Sequence, residues 1–318
     1  MSEPAVSIVI AAWNAEQTLR RALASAAAQM LPVEIILVDD ASSDGTLALA
    51  REMAAADDRI VVLEQSRNLG PAAARNRAIA AARAPWVAIL DADDFMAPDR
   101  LARLLDLALG QDADFVADDL YKVAEAAPDG PRQRMFSDHE IGLQWLDTAA
   151  FVNANLSARH GGRRELGFLK PLMRRRFLSD HALTYADIRL GEDYVLYASA
   201  LARGARFLLT DPAGYCAVVR PHSLSGAHPT SAHAALIAAD RDLLALPDLP
   251  AEARQALRAH LAEQQKKWAW RRLIDAGRER DYLRAIGCFW APPPVAVDTA
   301  GRLAQELMRR ARRGASAS

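Results

Sequence analysis

Short continuous apolar runs alternate with longer stretches of helical periodicity over the first 120 residues. The runs are 6–12 (VSIVIAA), 34–39 (EIILVD), 60–65 (IVVLEQ) and 86–91 (WVAILD), and 114–117 opens a shorter fifth. Between them, 16–29, 45–56, 71–83 and 98–109 carry Ala- and Leu-rich patterns of helical period. Runs without polar alternation suit strands buried on both faces. Their separation by helices predicts an α/β fold with a mostly parallel sheet covered on both sides. Pro71 stands at a first-turn position, where proline's missing N–H leaves nothing unsatisfied, and Pro98-Asp99 marks another helix start. Four of the runs lead into polar residues: Trp13-Asn14, Asp39-Asp40, Ser66-Arg67-Asn68 and Asp91-Ala92-Asp93-Asp94. In an open parallel sheet the loops beyond the carboxyl ends form the ligand crevice, so these clusters are expected to converge on one edge.

Beyond residue 120 the rhythm breaks. The pattern predicts a turn at 128–134, a helix at 143–155 and a basic loop at 160–164 (HGGRR). A strand end at 168–176 leads into a helix and brings Lys170 to the crevice. A helix at 191–202 opens on two acids, and strands follow at 206–210 and 215–220. Helices at 230–246 and 250–276, and a last one after Pro292-Pro293-Pro294, complete the chain. The expected organisation is a first half of a catalytic domain at 1–120, a second half at 121–228 and a helical extension at 229–318.

Composition sharpens this picture. The 318 residues carry 39 basic and 40 acidic side chains, a net charge of −1. The 51% hydrophobic content includes 67 alanines, which favour helix rather than a bulky core. Near-neutral charge, with aromatics at 6% and no basic-aromatic interleaving, argues against a nucleic-acid partner. Cys216 and Cys288 are far apart and lack metal-ligand spacing, which fits a reducing cytoplasm. The sequence shows neither a basic leader pattern nor an apolar run of about 18 residues, so a cytoplasmic protein is expected, peripheral at most to a membrane.

Several constellations carry candidate chemistry. Asp91 and Asp93, at i and i+2 beyond a strand, are expected to point to one side and to hold a hard divalent cation that neutralises a diphosphate. Asp39 and Asp40 place two charges at a buried strand end, where a base edge with N–H donors would suit a carboxylate. The ordinary use of such residues is a turn and a helix cap. Arg75, about a turn into its helix, can reach back to a phosphate. Glu192 and Asp193 follow Gly191 at a helix start; they serve either the helix dipole or a base that takes a proton from an acceptor hydroxyl. The loop 219–228 gathers Arg220 and His222, placed to screen a leaving group or simply to form a surface turn.

In order and spacing, VSIVIAAWN (6–14), VDDASSDGT (38–46), NLGPAAARN (68–76) and ILDADD (89–94) resemble the inverting family 2 glycosyltransferases of GT-A fold, a Rossmann-like sheet with an acceptor-side region. The resemblance implies a nucleotide-sugar donor, a UDP-sugar, and a divalent cation, Mg²⁺ or Mn²⁺. It places Trp13 against the nucleobase, Asp39 or Asp40 on the base, Arg75 by the diphosphate, Asp91 near ribose and metal, and Asp93 on the metal. Asp193 then resembles the catalytic base and Glu192 an acceptor-side partner. Ala11 replaces the family's usual proline ahead of the aromatic. Residues 167–226 resemble more narrowly the transferases of succinoglycan-type exopolysaccharide assembly. That implies glucose moving from UDP-glucose to a polyprenyl-linked saccharide acceptor.

A nicotinamide-dependent dehydrogenase would need Gly-x-Gly-x-x-Gly where Ala11-Ala12-Trp13-Asn14 stands. A non-catalytic scaffold on the same fold would not need Asp91, Asp93 and Asp193 together. Residues 300–318 carry five Arg against one Glu, with Leu303, Leu307 and Met308, the composition of a basic amphipathic helix for an anionic membrane surface.

Overall fold

The computed structural model describes residues 3–157, 164–219 and 229–315. Two compact units make up the chain, Met1–Leu224 and Ser225–Ser318.

The first unit follows the apolar runs with β1 (Val6–Ala12), β2 (Val33–Asp39), β3 (Ile60–Glu64) and β4 (Trp86–Ile89). There follow β5 (Phe95–Met96), β6 (Phe115–Asp118), β7 (Tyr121–Ala124) and β8 (Gln133–Arg134). The last strands are β9 (Leu143–Leu146), β10 (Leu172–Arg174), β11 (Phe207–Thr210) and β12 (Tyr215–Val219). An eight-stranded sheet has the order β3-β2-β1-β4-β10-β6-β11-β9. Its β3, β2, β1 and β4 are mutually parallel. β10 runs antiparallel between β4 and β6, and β9 antiparallel beside β11. Every residue of β2 is buried, which requires cover on both faces of the sheet.

Four helices supply that cover: α1 (Leu19–Ala27), α2 (Thr46–Ala56), α3 (Pro71–Ala81) and α4 (Arg100–Gly110). Right-handed crossovers put α1 and α2 on one face. The connection through α3 runs back across β2 and β1 to β4, so α3 lies on the other. The direction of winding therefore reverses at β1 and β4, where an open sheet offers its ligand crevice.

The second half of this unit departs from the sequence pattern. The helix expected at 143–155 is instead strand β9 followed by α5 (Thr148–Ala154). Asp147 separates the two, its carboxylate accepting the Ala150 N–H at 2.7 Å as an N-cap. Upstream of it, Leu143–Leu146 completes the sheet edge against β11. After β10 comes α6 (Arg175–Asp180), then α7 (Glu192–Ala202). A second sheet, β5-β12-β7-β8, had no expected counterpart. It packs Phe95, Val123 and Cys216 together.

The second sheet joins the first through Gly214, at φ +120°, where a Cβ would lie 2.4 Å from the Ala97 Cβ. Ala97 also donates its N–H to the Gly214 carbonyl at 2.9 Å. Gly214→Ala is therefore expected to cost about 1–3 kcal/mol from backbone strain and overpacking. Urea unfolding checks this, and an unchanged midpoint would refute it.

The second unit is helical: α8 (Thr230–Leu244), α9 (Ala251–Glu279), α10 (Tyr282–Gly287) and α11 (Pro293–Ala315). A buried polar chain joins α8 to α9. Asp240 Oδ2 lies 2.8 Å from His260 Nδ1, His260 Nε2 lies 3.2 Å from Gln264 Nε2, and Gln264 Oε1 lies 3.3 Å from His233 Nδ1. Among the described residues no helix is long and apolar enough to cross a membrane.

Candidate active site

The loops beyond β1 and β2 are stitched together. Asn14 donates its N–H to Ser42 Oγ at 3.0 Å, and its Oδ1 accepts the Ser43 N–H at 2.9 Å. Ala15 N–H reaches Thr46 Oγ1 at 2.7 Å, and Glu16 accepts the Gly45 N–H at 3.0 Å. Asn14 itself sits at φ +49°, a conformation Asn tolerates better than most residues. This stitching leaves Trp13 55% exposed at the mouth of a cavity of about 750 Å³. Trp13, Asn14, Asp44, Arg75, Asp91 and Asp93 line it, a size suited to an extended small ligand.

Asp39 and Asp40 stand back from that lining. Asp40 is buried and fully engaged: its carboxylate accepts from Gln65 Nε2 at 2.5 Å, Leu69 N–H at 2.8 Å and Gly70 N–H at 2.7 Å. It fixes the entry of α3, where Gly70 takes φ +90°. Asp39 accepts the Ser42 N–H through Oδ2 at 3.1 Å, while its buried Oδ1 has no partner among the described residues.

Strand β4 ends at Ile89, so alternation along a strand does not orient Asp91 and Asp93. A turn does, closed by the Asp94 N–H on the Asp91 carbonyl at 3.0 Å. Three acids leave this turn in three directions. Asp93 and Asp91 both reach the cavity, but Asp91 also turns inward. Asp94 is buried, accepting the Tyr215 hydroxyl at 2.9 Å and the Val218 N–H at 2.9 Å. Burial, then the neighbouring Asp91 and Asp93, push its carboxyl up to about 8.

From Arg75 and Asp91 on the cavity wall a charged cluster extends inward. Arg75 reaches Asp91 at 2.8 Å, Glu192 at 3.2 Å and Asp193 at 3.5 Å. Lys170 reaches Asp193 at 2.8 Å and Asp91 at 3.1 Å. Three carboxylates thus share two cations. Burial works against the Asp91 charge, yet its carboxyl is held well below its usual range, because Lys170 and Arg75 outweigh the desolvation. The reciprocal effect of Asp193 and Asp91 raises Lys170 and Arg75. The Tyr185 ring lies 5.3 Å from the Arg75 guanidinium.

Lys170 is fixed from below. Its carbonyl accepts from Arg100 Nη2 at 2.6 Å, and the same guanidinium pairs at 2.6 Å with Asp118, both side chains being wholly buried. Arg100 in turn stacks over the Tyr215 ring at 5.0 Å, and the Tyr215 hydroxyl accepts the Asp91 N–H at 3.2 Å. One buried pair therefore anchors both the Lys170 backbone and the tyrosine beside the carboxylate turn.

Of the sequence-derived candidates, Arg75, Asp91, Glu192 and Asp193 meet directly, and Trp13 and Asp93 share the cavity with Arg75 and Asp91. Asp193 and Glu192 are one ion pair behind the wall rather than on it. Arg220 and His222 lie outside the described residues. The engagement of Arg75 with both ends of the first unit, and the roles of Tyr185 and Tyr215, were not foreseen. Lys170, expected at the crevice from its segment, joins the same cluster, one of only four lysines against 35 arginines.

Among the described residues no three His, Cys, Asp or Glu side chains converge as a metal cage. Both Asp91 oxygens are taken by cations, while Asp93 lines the cavity together with Glu16, Asp44 and Glu125. That donor set fits a magnesium-like ion completed by substrate phosphates, which needs only one or two protein carboxylates.

The family model described as "Glycosyl transferase family 2" matches residues 7–166. The succinoglycan biosynthesis protein ExoU of Rhizobium meliloti is 43% identical over 289 residues, covering 89% of this chain and 82% of its own. ExoO of the same organism is 41% identical over 244 residues, 76% of this chain and 68% of its own. Among solved structures, residues 1–349 of S. aureus TarS with UDP-GlcNAc superpose with a TM-score of 0.65 at 19% identity, over 88% of this chain and 89% of that one. The mannosyltransferase PcManGT of Pyrobaculum calidifontis, with GDP-Man and Mn²⁺, gives a TM-score of 0.57 at 18% identity, over 96% and 81%. The likeness of those structures establishes the GT-A fold, and the family match and the similarity to ExoU show that the chain is a glycosyltransferase belonging to family 2.

Proposed function

We propose that the protein is a metal-dependent inverting transferase that moves a hexose, glucose from UDP-glucose, onto a hydroxyl of a polyprenyl-linked exopolysaccharide repeat unit. The observation that carries this reading is the Arg75, Lys170, Asp91, Glu192 and Asp193 cluster set beside a cavity faced by Trp13 and Asp93. The similarity to ExoU and ExoO supports the saccharide acceptor and its assembly pathway.

Trp13 offers an exposed apolar face for the base. Asp39 keeps an unpartnered carboxylate oxygen near the base end, whereas the Asp40 oxygens serve the loop before α3. Arg75 and Lys170 are the cations placed to meet a diphosphate, and drawing them toward it would release Asp193 from its two ion pairs. Asp193 then takes the proton of the acceptor hydroxyl as that oxygen bonds to the anomeric carbon. The bond from that carbon to the diphosphate breaks with its electron pair, and the nucleoside diphosphate departs. Glu192 borders the acceptor side. A divalent cation on Asp93, when bound, supplies charge neutralisation to the departing diphosphate.

A donor panel tests this reading. Release of UDP is expected from UDP-glucose in the presence of an extracted lipid-linked acceptor with Mg²⁺ or Mn²⁺, and not with chelator. Undiminished release in chelator would remove the metal from the reading; release only from another donor would change the sugar. The basic helix α11 is proposed to bring the enzyme to the membrane face where such an acceptor resides.

A further inference from the structure

The second unit contains a cavity that transfer chemistry does not use. It lies between α8, α9 and the segment joining α10 to α11, with a volume of about 360 Å³. Its walls are apolar: Ile237 from α8, Trp268 and Ala269 from α9, and Cys288, Trp290 and Val295 from the joining segment and α11. Two cations also line it, Arg241 on the last turn of α8 and Arg272 on α9. Among the described residues neither makes an ion pair; Arg272 instead lies over the Trp268 ring at 4.8 Å.

The surface around the cavity is unlike an ordinary solvated face. Trp290 is 89% exposed, and on α10 Tyr282, Leu283 and Ile286 are all exposed. From Arg278 to Arg313 the chain carries eight arginines and four acids, against a whole-chain net charge of −1. Exposed aromatic and aliphatic side chains beside arginines match the boundary layer of a bilayer, where apolar parts enter the acyl region and cations meet lipid phosphates.

We infer that this cavity is a lipid site, taking an acyl chain of an anionic phospholipid while Arg241 and Arg272 hold its phosphate. The inference deepens the membrane-facing part of the proposed function. It differs from attraction through α11, because it requires a shaped apolar cavity and two particular arginines. The rim residues Trp290, Leu283 and Ile286 enter the leaflet around the bound lipid.

Vesicle binding tests it without any transfer reaction. The full chain is titrated with phosphatidylcholine vesicles with or without phosphatidylglycerol, and binding is read by sedimentation. Each of Arg241→Gln and Arg272→Gln is expected to weaken binding to the anionic vesicles about fivefold, and the pair about thirtyfold, at roughly 1 kcal/mol per arginine at low salt. Ala234→Leu, which narrows the cavity without changing charge, is expected to weaken it as well. Bromine-labelled acyl chains should quench tryptophan emission in wild type through both Trp268 and Trp290, and in Trp290→Leu the quenching of Trp268 should remain. Circular dichroism melts confirm that each variant is folded. Wild-type affinity in the double arginine variant, with loss only in Arg309→Glu/Arg312→Glu, would show that α11 alone docks and would overturn the lipid site. Failure of the donor panel with normal vesicle binding would overturn the transfer reading and leave the site standing.

Discussion

Asp193→Asn is expected to lower sugar transfer by about 10²–10⁴-fold, the contribution of a positioned general base. The substitution keeps the side chain's shape. It also removes one negative charge from a cluster where three carboxylates face two cations, so the remaining Asp91 and Glu192 balance Arg75 and Lys170. The fold and nucleotide-sugar affinity should therefore persist while turnover is lost. Single-turnover transfer paired with a UDP titration separates the two quantities. Near-normal transfer by the variant would mean that another group takes the proton.

Arg75→Met carries the largest expected effect on stability. Arg75 is buried and touches all three acids of the cluster. Removing it leaves those carboxylates facing one another with Lys170 alone, and breaking a buried pair in this way costs about 3–5 kcal/mol. Arg75→Lys is expected to recover only part, because one ammonium cannot replace a planar fork that meets three carboxylates together. The pH dependence has a definite sign. Asp91 is held below its usual range, so its stabilisation is complete above the unfolded value of about 4 and fades as the pH falls through the folded one. The gap between wild type and Arg75→Met should thus be full at neutral pH and narrow in acid. Urea melts at pH 7 and pH 3 measure it, and a gap that widens in acid would contradict the cluster's role.

The two effects share an architecture. Arg75 comes from the helix after β3, Asp91 from the turn after β4, Lys170 from the segment before β10, and Glu192 and Asp193 from the start of α7. Those segments are separated by up to 118 residues between Arg75 and Asp193. Arg100 and Asp118, buried beneath them, hold the Lys170 backbone in register. Transfer chemistry therefore depends on packing well away from the cavity wall.

The alternation of apolar runs and helical stretches determined the order and near bounds of β1–β4 and α1–α4, because strands buried on both faces admit no polar alternation. It also pointed to the edge where Trp13, Asp91 and Asp93 collect, since the loops beyond the carboxyl ends of parallel strands share one side. Short local signals carried the start of α7 at Gly191-Glu192-Asp193. Tertiary structure decided the rest. The strand β9 and the second sheet are stabilised by partners distant in sequence, and a four-residue segment has no period long enough to declare itself. The three aspartates of the 91–94 turn read alike in sequence, yet one faces two cations, one the cavity and one a buried tyrosine. Such division depends on the electrostatic company each carboxylate keeps, and that company is assembled only when the chain folds.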